Sequence, residues 1–301
     1  MSRILLTGVN GQLGWELQRT LAPLGNVVTL NRAQLDLSQP DVIRQAVRKH
    51  RPDIIVNPAA YTAVDKAEAE PELAQAINGI APGILAEEAR QLGALLVHYS
   101  TDYVFDGSQT APYTEDDPPN PQSVYGQSKL AGENAIRAVD GKHLILRTSW
   151  VYGVHGGNFV KTVLRLAGER DELRIVADQF GAPTWARLLA NSTARIVEGW
   201  QNNEFGEAQS GLYHLTAGGR TSWHHYAEEI VRLAKQHDPA LRNKPLTIHG
   251  IATHEYPVAA KRPANSMLAT DKILSTFGLD LPLWQDDLAE CMQEIYRDPT
   301  G

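Results

Sequence analysis

The chain of 301 residues holds a single cysteine, Cys291, so it forms no disulfide within itself and fits a reducing compartment. Long apolar runs are missing too. The first such stretch, Ile4–Thr7, follows directly on Met1-Ser2-Arg3 and is too short for a signal peptide or a membrane span. There is no basic excess: a net charge of −7 argues against a general nucleic-acid surface. Internal repeats, low-complexity tracts and extended charge runs are absent. Hydrophobic residues at 43% and charged residues at 21% give the balance of an ordinary water-soluble chain, and we expect a cytoplasmic protein. The length suffices for one large domain or for two unequal lobes sharing a cleft.

What the sequence does contain is a rhythm. Ile4–Thr7, Val27–Leu30, Ile54–Asn57, Leu95–Tyr99 and Leu144–Arg147 read as strands, and Gly14–Leu24, Pro40–His50, Pro71–Leu92 and Ser123–Val139 as helices. Such alternation implies right-handed βαβ crossovers and a parallel sheet covered on both faces, an α/β fold of the Rossmann-type, doubly wound kind. After Arg147 the rhythm breaks. A loop at Gly153–Gly157, a helix at Asn158–Gly168 and a short strand at Arg174–Val176 come first. A helix at Leu188–Trp200, a strand at Gly211–Leu215 and a helix at Ser222–Gln236, capped by Thr221 or Ser222, follow. The proline-rich passage from Tyr256 to Pro263 reads as a surface loop.

Between the first strand and its helix lies Gly8-Val9-Asn10-Gly11-Gln12-Leu13-Gly14. The first glycine permits a tight turn, the second lets backbone approach a pyrophosphate, and the third lets helix pack on strand. The helix N-terminus then offers free N–H groups to the phosphates. A bare turn is the competing reading, because the spacing differs from Gly-x-Gly-x-x-Gly. Gly8, Asn10, Gly11, Gln12, Leu13 and Gly14 are therefore candidate cofactor residues. Asn31 and Arg32 follow the second strand, where a carboxylate would grip a ribose 2′-hydroxyl; a guanidinium there leans toward NADPH, or toward use of both NADPH and NADH. Asp36 and Leu37 are placed to meet the adenine. The small residues of Pro58-Ala59-Ala60-Tyr61-Thr62 let backbone pass close to the cofactor. On this reading residues 1–150, rejoined by part of 185–220, bind the dinucleotide. Residues 151–184 and 221–301 form a smaller C-terminal substrate-binding lobe.

Tyr125 and Lys129 stand at i and i+4, on one face of a helix, with Ser100-Thr101-Asp102 upstream. A phenol of ordinary pKa about 10 transfers protons poorly at pH 7, and a nearby cation favours its phenolate. Phenol, cation and hydroxyl converging on one oxygen suit proton transfer and oxyanion stabilisation, so Tyr125, Lys129 and Thr101 are the candidate catalytic residues. A surface Tyr–Lys pair is the bland alternative.

These residues resemble the extended short-chain dehydrogenase/reductase superfamily, and within it the dTDP-4-dehydrorhamnose reductases. The resemblance is carried by Thr62–Glu68, His98–Phe105, Val124–Lys129, Arg147–Gly153, Asp178–Thr184, Gly211–His214 and Arg262–Ser266, nearly the whole length of the chain. It implies that Tyr125 gives a proton to a sugar C4 oxygen while a nicotinamide delivers hydride to C4. Lys129 would hold the nicotinamide ribose and keep the phenol acidic, Thr101 would bond the reacting oxygen, and Ser100 would join the cofactor site. Thr101, Asp102, Tyr103, Trp150 and Asn158 are the substrate contacts it implies. Arg262 is a further candidate, for the substrate pyrophosphate, since a guanidinium suits phosphate oxygens; a loop arginine with no such duty is the alternative. Dehydratases of the superfamily usually carry Asp-Glu after the threonine; here Tyr103 follows Asp102, which favours ketone reduction. A 4-epimerase, a reductase of another nucleotide sugar, and a non-catalytic regulator like the β subunit of methionine adenosyltransferase remain as alternatives.

Metal ligation is not expected. Adjacent His224 and His225 point apart on a helix and no third ligand shows spacing. Glu68, Glu70 and Glu72 read as a solvated helix start. Some reductases of the resembled family dimerise around Mg²⁺ held by glutamates. Glu16 fits one such position, but Arg187 stands where a second glutamate would be, so a monomer or weak homodimer is expected without Mg²⁺.

Overall fold

In the computed structural model, which describes residues 1–297, the first half runs β1 (Ser2–Leu6), α1 (Gln12–Leu21), β2 (Gly25–Thr29), α2 (Pro40–His50), β3 (Ile54–Asn57), α3 (Ala81–Leu92), β4 (Leu95–Thr101), α4 (Val124–Val139) and β5 (His143–Thr148). The second half adds α5 (Phe159–Glu169), α6 (Ala186–Gln201), β6 (Gly211–His214), α7 (Trp223–His237), α8 (Asp271–Phe277) and α9 (Trp284–Arg297), with shorter strands between. Successive side chains of a strand point to opposite faces. Ile4 and Leu6, Ile54 and Val56, Leu95 and Val97, and Leu144 and Leu146 enter one hydrophobic layer. Leu5, Ile55, Leu96 and Ile145 enter the other. Strands apolar on both faces need cover on both, and a parallel sheet with crossover helices supplies it.

All six strands pair in parallel, in the order β6-β5-β4-β3-β1-β2. One face is covered by Leu17 and Leu21 of α1 and by Leu189, Ile196 and Val197 of α6. The other is covered by Ile43 and Val47 of α2, Leu85 and Ala89 of α3 and Ile136 of α4. Each of these leucine, isoleucine and valine side chains contributes about 1.5–3 kcal/mol of burial free energy before the entropy of ordering it is counted. A second core joins Val160 and Val163 of α5, Tyr226 and Ile230 of α7 and Trp284, Leu288, Cys291 and Met292 of α9. Ile273 and Phe277 of α8, a segment assigned to the lobe on sequence, join the sheet core instead. No helix among the described residues is long and apolar enough to cross a membrane.

Two expected helices are interrupted, in each case by proline. Gly14–Leu24 gives way after Leu21 to a 3₁₀ turn at Ala22–Leu24 that contains Pro23. The span Pro71–Leu92 splits into Pro71–Ala74, a π-helical turn at Gln75–Ile80, and α3. Pro82 has no N–H for the carbonyl four residues back, that of Asn78, and its ring would crowd it. The ladder widens there, Ala81 N reaching back to Ala76 O.

Candidate active site

The chain leaves β1 for β2 on one side and crosses to β3 on the other, so the C-terminal ends of β1 and β3 flank a crevice, the ligand position of doubly wound sheets. A cavity of about 660 Å³ opens there, floored by the glycine turn and the ends of β3, β4 and β5. Every residue expected at cofactor or substrate lines it except Arg262. Pro58 of the expected cofactor segment lines it too, and so do Thr7, Leu35, Val64, Ile77, Tyr99, Thr148 and Ser149, to which the sequence reading gave no role at the site.

The glycine turn is shaped for close approach. Gly8 has φ +59°, and a Cβ there would lie 2.9 Å from the Ala59 backbone; one on Gly14 would lie 2.1 Å from the Gly8 carbonyl oxygen. Gly11 caps α1 without a side-chain bond and no acid stands in the helix's first turn, so its amides face the crevice uncontested by a carboxylate. These features fit a dinucleotide pyrophosphate. The 153–158 loop lies over this turn: His155 Nε2 donates to Asn10 O at 3.2 Å, and its ring stacks on Trp15 with centroids 5.3 Å apart. Asn158 caps α5, accepting from Lys161 N, and its Nδ2 donates to Gln12 Oε1 and Gly153 O, so its amide is largely spent on structure.

Asn78, at the widened turn, holds the loop after β3. Its Oδ1 accepts from Tyr61 N at 2.8 Å, while its Nδ2 donates to Tyr61 O at 3.0 Å and to Ser128 Oγ at 3.1 Å. Ser128 Oγ in turn donates to Tyr125 O. One buried amide thus ties the cofactor loop to α4. The glutamates read as a solvated helix start do more than that: Glu68 accepts from Val124 N at the head of α4, and Glu70 accepts from Tyr61 Oη while pairing with Lys66.

Thr101 ends β4, opposite Thr148 of β5, and its hydroxyl accepts from Tyr103 N and donates to Asp102 Oδ1 at 3.0 Å. Burial pushes the Asp102 carboxyl up to about 6, against the hydroxyls of Ser266 and Thr101. Its buried Oδ2 accepts no hydrogen bond of ordinary geometry. The Tyr125 ring packs edge-on against Tyr103, centroids 5.4 Å apart.

Lys129 is 2% exposed and donates to Tyr99 O at 2.5 Å; burial brings its ammonium down to about 8, with Glu133 opposing. Glu133 is also fully buried and takes Arg147 through two bonds of 2.8 and 2.7 Å, plus the Ser100 hydroxyl at 2.5 Å. The expectation that the phenol lies below its ordinary value is not met in this arrangement. Burial raises Tyr125 to about 12, the Thr101 hydroxyl partly opposing and Asp102 adding to the rise. The phenol is therefore protonated at neutral pH, the state a proton donor requires.

Arg262 is not among the residues lining this cavity, although its charge acts on Tyr103, which is. Its Nη2 donates to Asp65 Oδ2 at 2.9 Å, a partner that sequence separation concealed. Arg187 bridges Glu16 on α1 and Glu294 on α9, its guanidinium lying between the two carboxylates. His224 Nε2 donates to Ile248 O, and His225 lies beside Glu228. Among the described residues no cluster of three or more His, Cys, Asp or Glu could hold a metal ion.

A family model described as the RmlD substrate binding domain matches residues 1–297. The dTDP-4-dehydrorhamnose reductase of Burkholderia thailandensis is 47% identical over 294 residues, covering 97% of this chain and 99% of its own. That of Escherichia coli K12 is 48% identical over 298 residues, covering 97% and 98%. A crystal structure of the Bacillus anthracis dTDP-4-dehydrorhamnose reductase in complex with NADP superposes with a TM-score of 0.88 at 37% identity, over 97% of this chain and 99% of that one.

Proposed function

The chain belongs to the RmlD substrate binding domain family, and from that premise we propose that it is an NAD(P)H-dependent dTDP-4-dehydrorhamnose reductase. It reduces the C4 ketone of dTDP-4-dehydro-6-deoxy-L-mannose to give dTDP-L-rhamnose. The observation that carries the reading is one crevice lined by the glycine turn, Thr101, Tyr125 and Lys129 together. Gly8, Gly11, Gly14 and the first amides of α1 would hold the pyrophosphate, Arg32 a 2′-phosphate, and Lys129 the nicotinamide ribose. When bound, the reduced nicotinamide supplies a hydride to C4.

The residues of the chain handle the proton. Tyr125 gives its phenolic hydrogen to the C4 oxygen as negative charge develops there. Thr101, turning its hydroxyl from Asp102 Oδ1 to the same oxygen, donates a hydrogen bond that lowers the cost of that charge. Lys129, still largely protonated at neutral pH, stabilises the phenolate that Tyr125 becomes. Asp102, Tyr103 and Trp150 face the sugar end of the crevice, and the apolar walls exclude water that would otherwise compete for the bonds. The protein acts in the cytoplasm as a monomer or weak homodimer. Arg187 supports that state, since its guanidinium already neutralises Glu16.

The test is a spectrophotometric assay of NADPH and NADH oxidation with the dTDP-ketosugar, followed by light scattering with and without Mg²⁺. Turnover to dTDP-L-rhamnose and an unchanged mass are expected. No turnover with either cofactor would leave the regulatory-subunit reading standing, and a mass doubled by Mg²⁺ would refute the oligomeric part.

A further inference from the structure

Lys129 is held from β4 by two neighbours, the Tyr99 carbonyl and the imidazole of His98, whose Nε2 lies 3.2 Å from Nζ. His98 is 1% exposed in a strand that is otherwise mostly apolar, Leu95–Thr101. A ring buried so deeply is costly unless both nitrogens are bonded. Both are. Nδ1 accepts from the Asn57 side-chain Nδ2 on β3 at 3.0 Å, and Asn57 Oδ1 accepts from the Thr7 hydroxyl at the end of β1 at 2.6 Å. Ala59 N donates to the same Thr7 oxygen at 3.4 Å. A buried polar line thus crosses three neighbouring strands, from Lys129 to the residue before the glycine turn.

The donor and acceptor arithmetic of that line is restrictive. Burial, and then the charge of Lys129, hold the His98 ring neutral, well below its usual 6.5. A neutral imidazole has one N–H and one lone pair. An ammonium can only donate, so a charged Lys129 requires the lone pair on Nε2 and the hydrogen on Nδ1. Asn57 must then turn its amide over from the orientation just described, presenting its oxygen to His98 and its N–H to Thr7. A neutral Lys129 admits the reverse set: Nε2–H donates to Nζ, Nδ1 accepts from Asn57 Nδ2, and Asn57 Oδ1 accepts from the Thr7 hydroxyl. The same heavy atoms serve both sets, and only the hydrogens and the amide orientation change.

We propose that His98 is a positioning residue for Lys129, its imidazole accepting one ammonium N–H and passing the polarity of that bond through Asn57 to Thr7 beside the glycine turn. This deepens the role given to Lys129 above and rests on it. The other groups around Lys129 are Glu133 and Tyr125 on its own helix, the Tyr99 carbonyl on β4, and Arg147 on β5, which neutralises Glu133. Tyr125, raised to about 12, keeps its proton where Lys129 titrates, and a shift that follows substitution of His98 reads the His98 bond.

The experiment is isotope-edited NMR of the lysine and histidine side chains in the full-length protein without cofactor, titrated from neutral to alkaline pH. Lys129 should titrate at about 8, and the His98 ring should move its hydrogen from Nδ1 to Nε2 over the same range. His98→Leu should lower the Lys129 titration by about one pH unit, a tenfold change, since a hydrogen bond to a charged group is lost. His98→Gln, which retains an acceptor, should restore most of it. The alkaline limb of kcat/KM should move with it while KM for the ketosugar holds.

A Lys129 titration that ignores His98→Leu, a Gln variant that shifts as far as the Leu one, or a ring that keeps one tautomer throughout would overturn the proposal. If the Leu variant does not fold, the wild-type ring decides alone. Failure of the functional reading is separate: the wild-type protein would show no turnover while the coupled titrations persist.

Discussion

The indole of Trp150 lies flat on that of Trp223, centroids 3.6 Å apart and planes 13° from parallel, with Gly181 against its ring. Trp150 has φ +50°, a left-handed backbone that costs a bulky residue about 1–3 kcal/mol and persists only where packing imposes it. The stack fixes an indole that lines the crevice. A Cβ on Gly181 would come within 2.5 Å of that ring. Gly181→Ala is expected to push Trp150 out of place and raise KM for the nucleotide sugar by about tenfold, the effect of roughly 1–3 kcal/mol of overpacking. NADPH affinity, measured by fluorescence, should stay the same, because Gly181 does not itself line the crevice. Equal losses in both would contradict the assignment of Trp150 to the sugar end.

Tyr125→Phe removes the hydroxyl and little else. The phenol is protonated in the free protein, so the variant should bind cofactor as the wild type does. Its kcat should fall by about 10²–10⁴, the usual contribution of a positioned acid. Stopped-flow reduction of the ketosugar measures this directly, and a variant with wild-type turnover would remove Tyr125 from the chemistry.

Asp102 carries a stability penalty whose sign can be worked out. Its folded carboxyl titrates at about 6, above the usual 3.8, because burial disfavours the anion. A raised carboxyl stabilises the fold relative to neutral pH only while protonated; that contribution is complete below about 3.8 and gone once pH passes about 6. At pH 7 the ionised group therefore costs up to about 3 kcal/mol, from a shift of about two units. Asp102→Asn should unfold at higher urea than the wild type at pH 7 and lose that advantage at pH 4. It should also reduce the ketosugar poorly, a trade of function against stability.

Arg147 and Glu133 form a pair from which water is excluded, at 1% and 0% exposure. Arg147→Met strands the Glu133 carboxylate with only the Ser100 hydroxyl as partner, which should cost about 3–5 kcal/mol in urea unfolding. The double variant Arg147→Met with Glu133→Leu should recover most of that loss, since no charge is left buried and alone. If the double variant is no more stable than the single one, the pair's contribution lies in packing against Phe105, over whose ring the guanidinium sits 5.0 Å from the centroid.

Much of this was legible in the residues themselves. The strands of the sheet announce themselves as short runs such as Ile54-Ile55-Val56 because both faces are buried, and Gly8 to Gly14 and Tyr125 to Lys129 act through spacing along the chain. The rest depends on partners distant in sequence. Nothing local marks Asp65 as the group that holds Arg262, or Glu294 as the second carboxylate on Arg187. The π-helical turn hid behind a helical pattern, although Pro82 gave a sign of it. His98 and Asn78 were detectable in principle as polar residues inside apolar segments, but the bonds that give them meaning run to β3 and α4. The acidity of Tyr125 was misjudged because sequence spacing shows a cation nearby and does not show how little solvent reaches the phenol.

Arg187 has a consequence for how the molecule can be cut. It clips α1, the helix that begins at the nucleotide turn, to α9 at the other end of the chain, and no residue of α9 lines the crevice. Removing that terminal helix would leave half of the clip's negative charge missing and expose the apolar bed of Trp284 and Leu288. A truncation far from any ligand would thus loosen the footing of the dinucleotide.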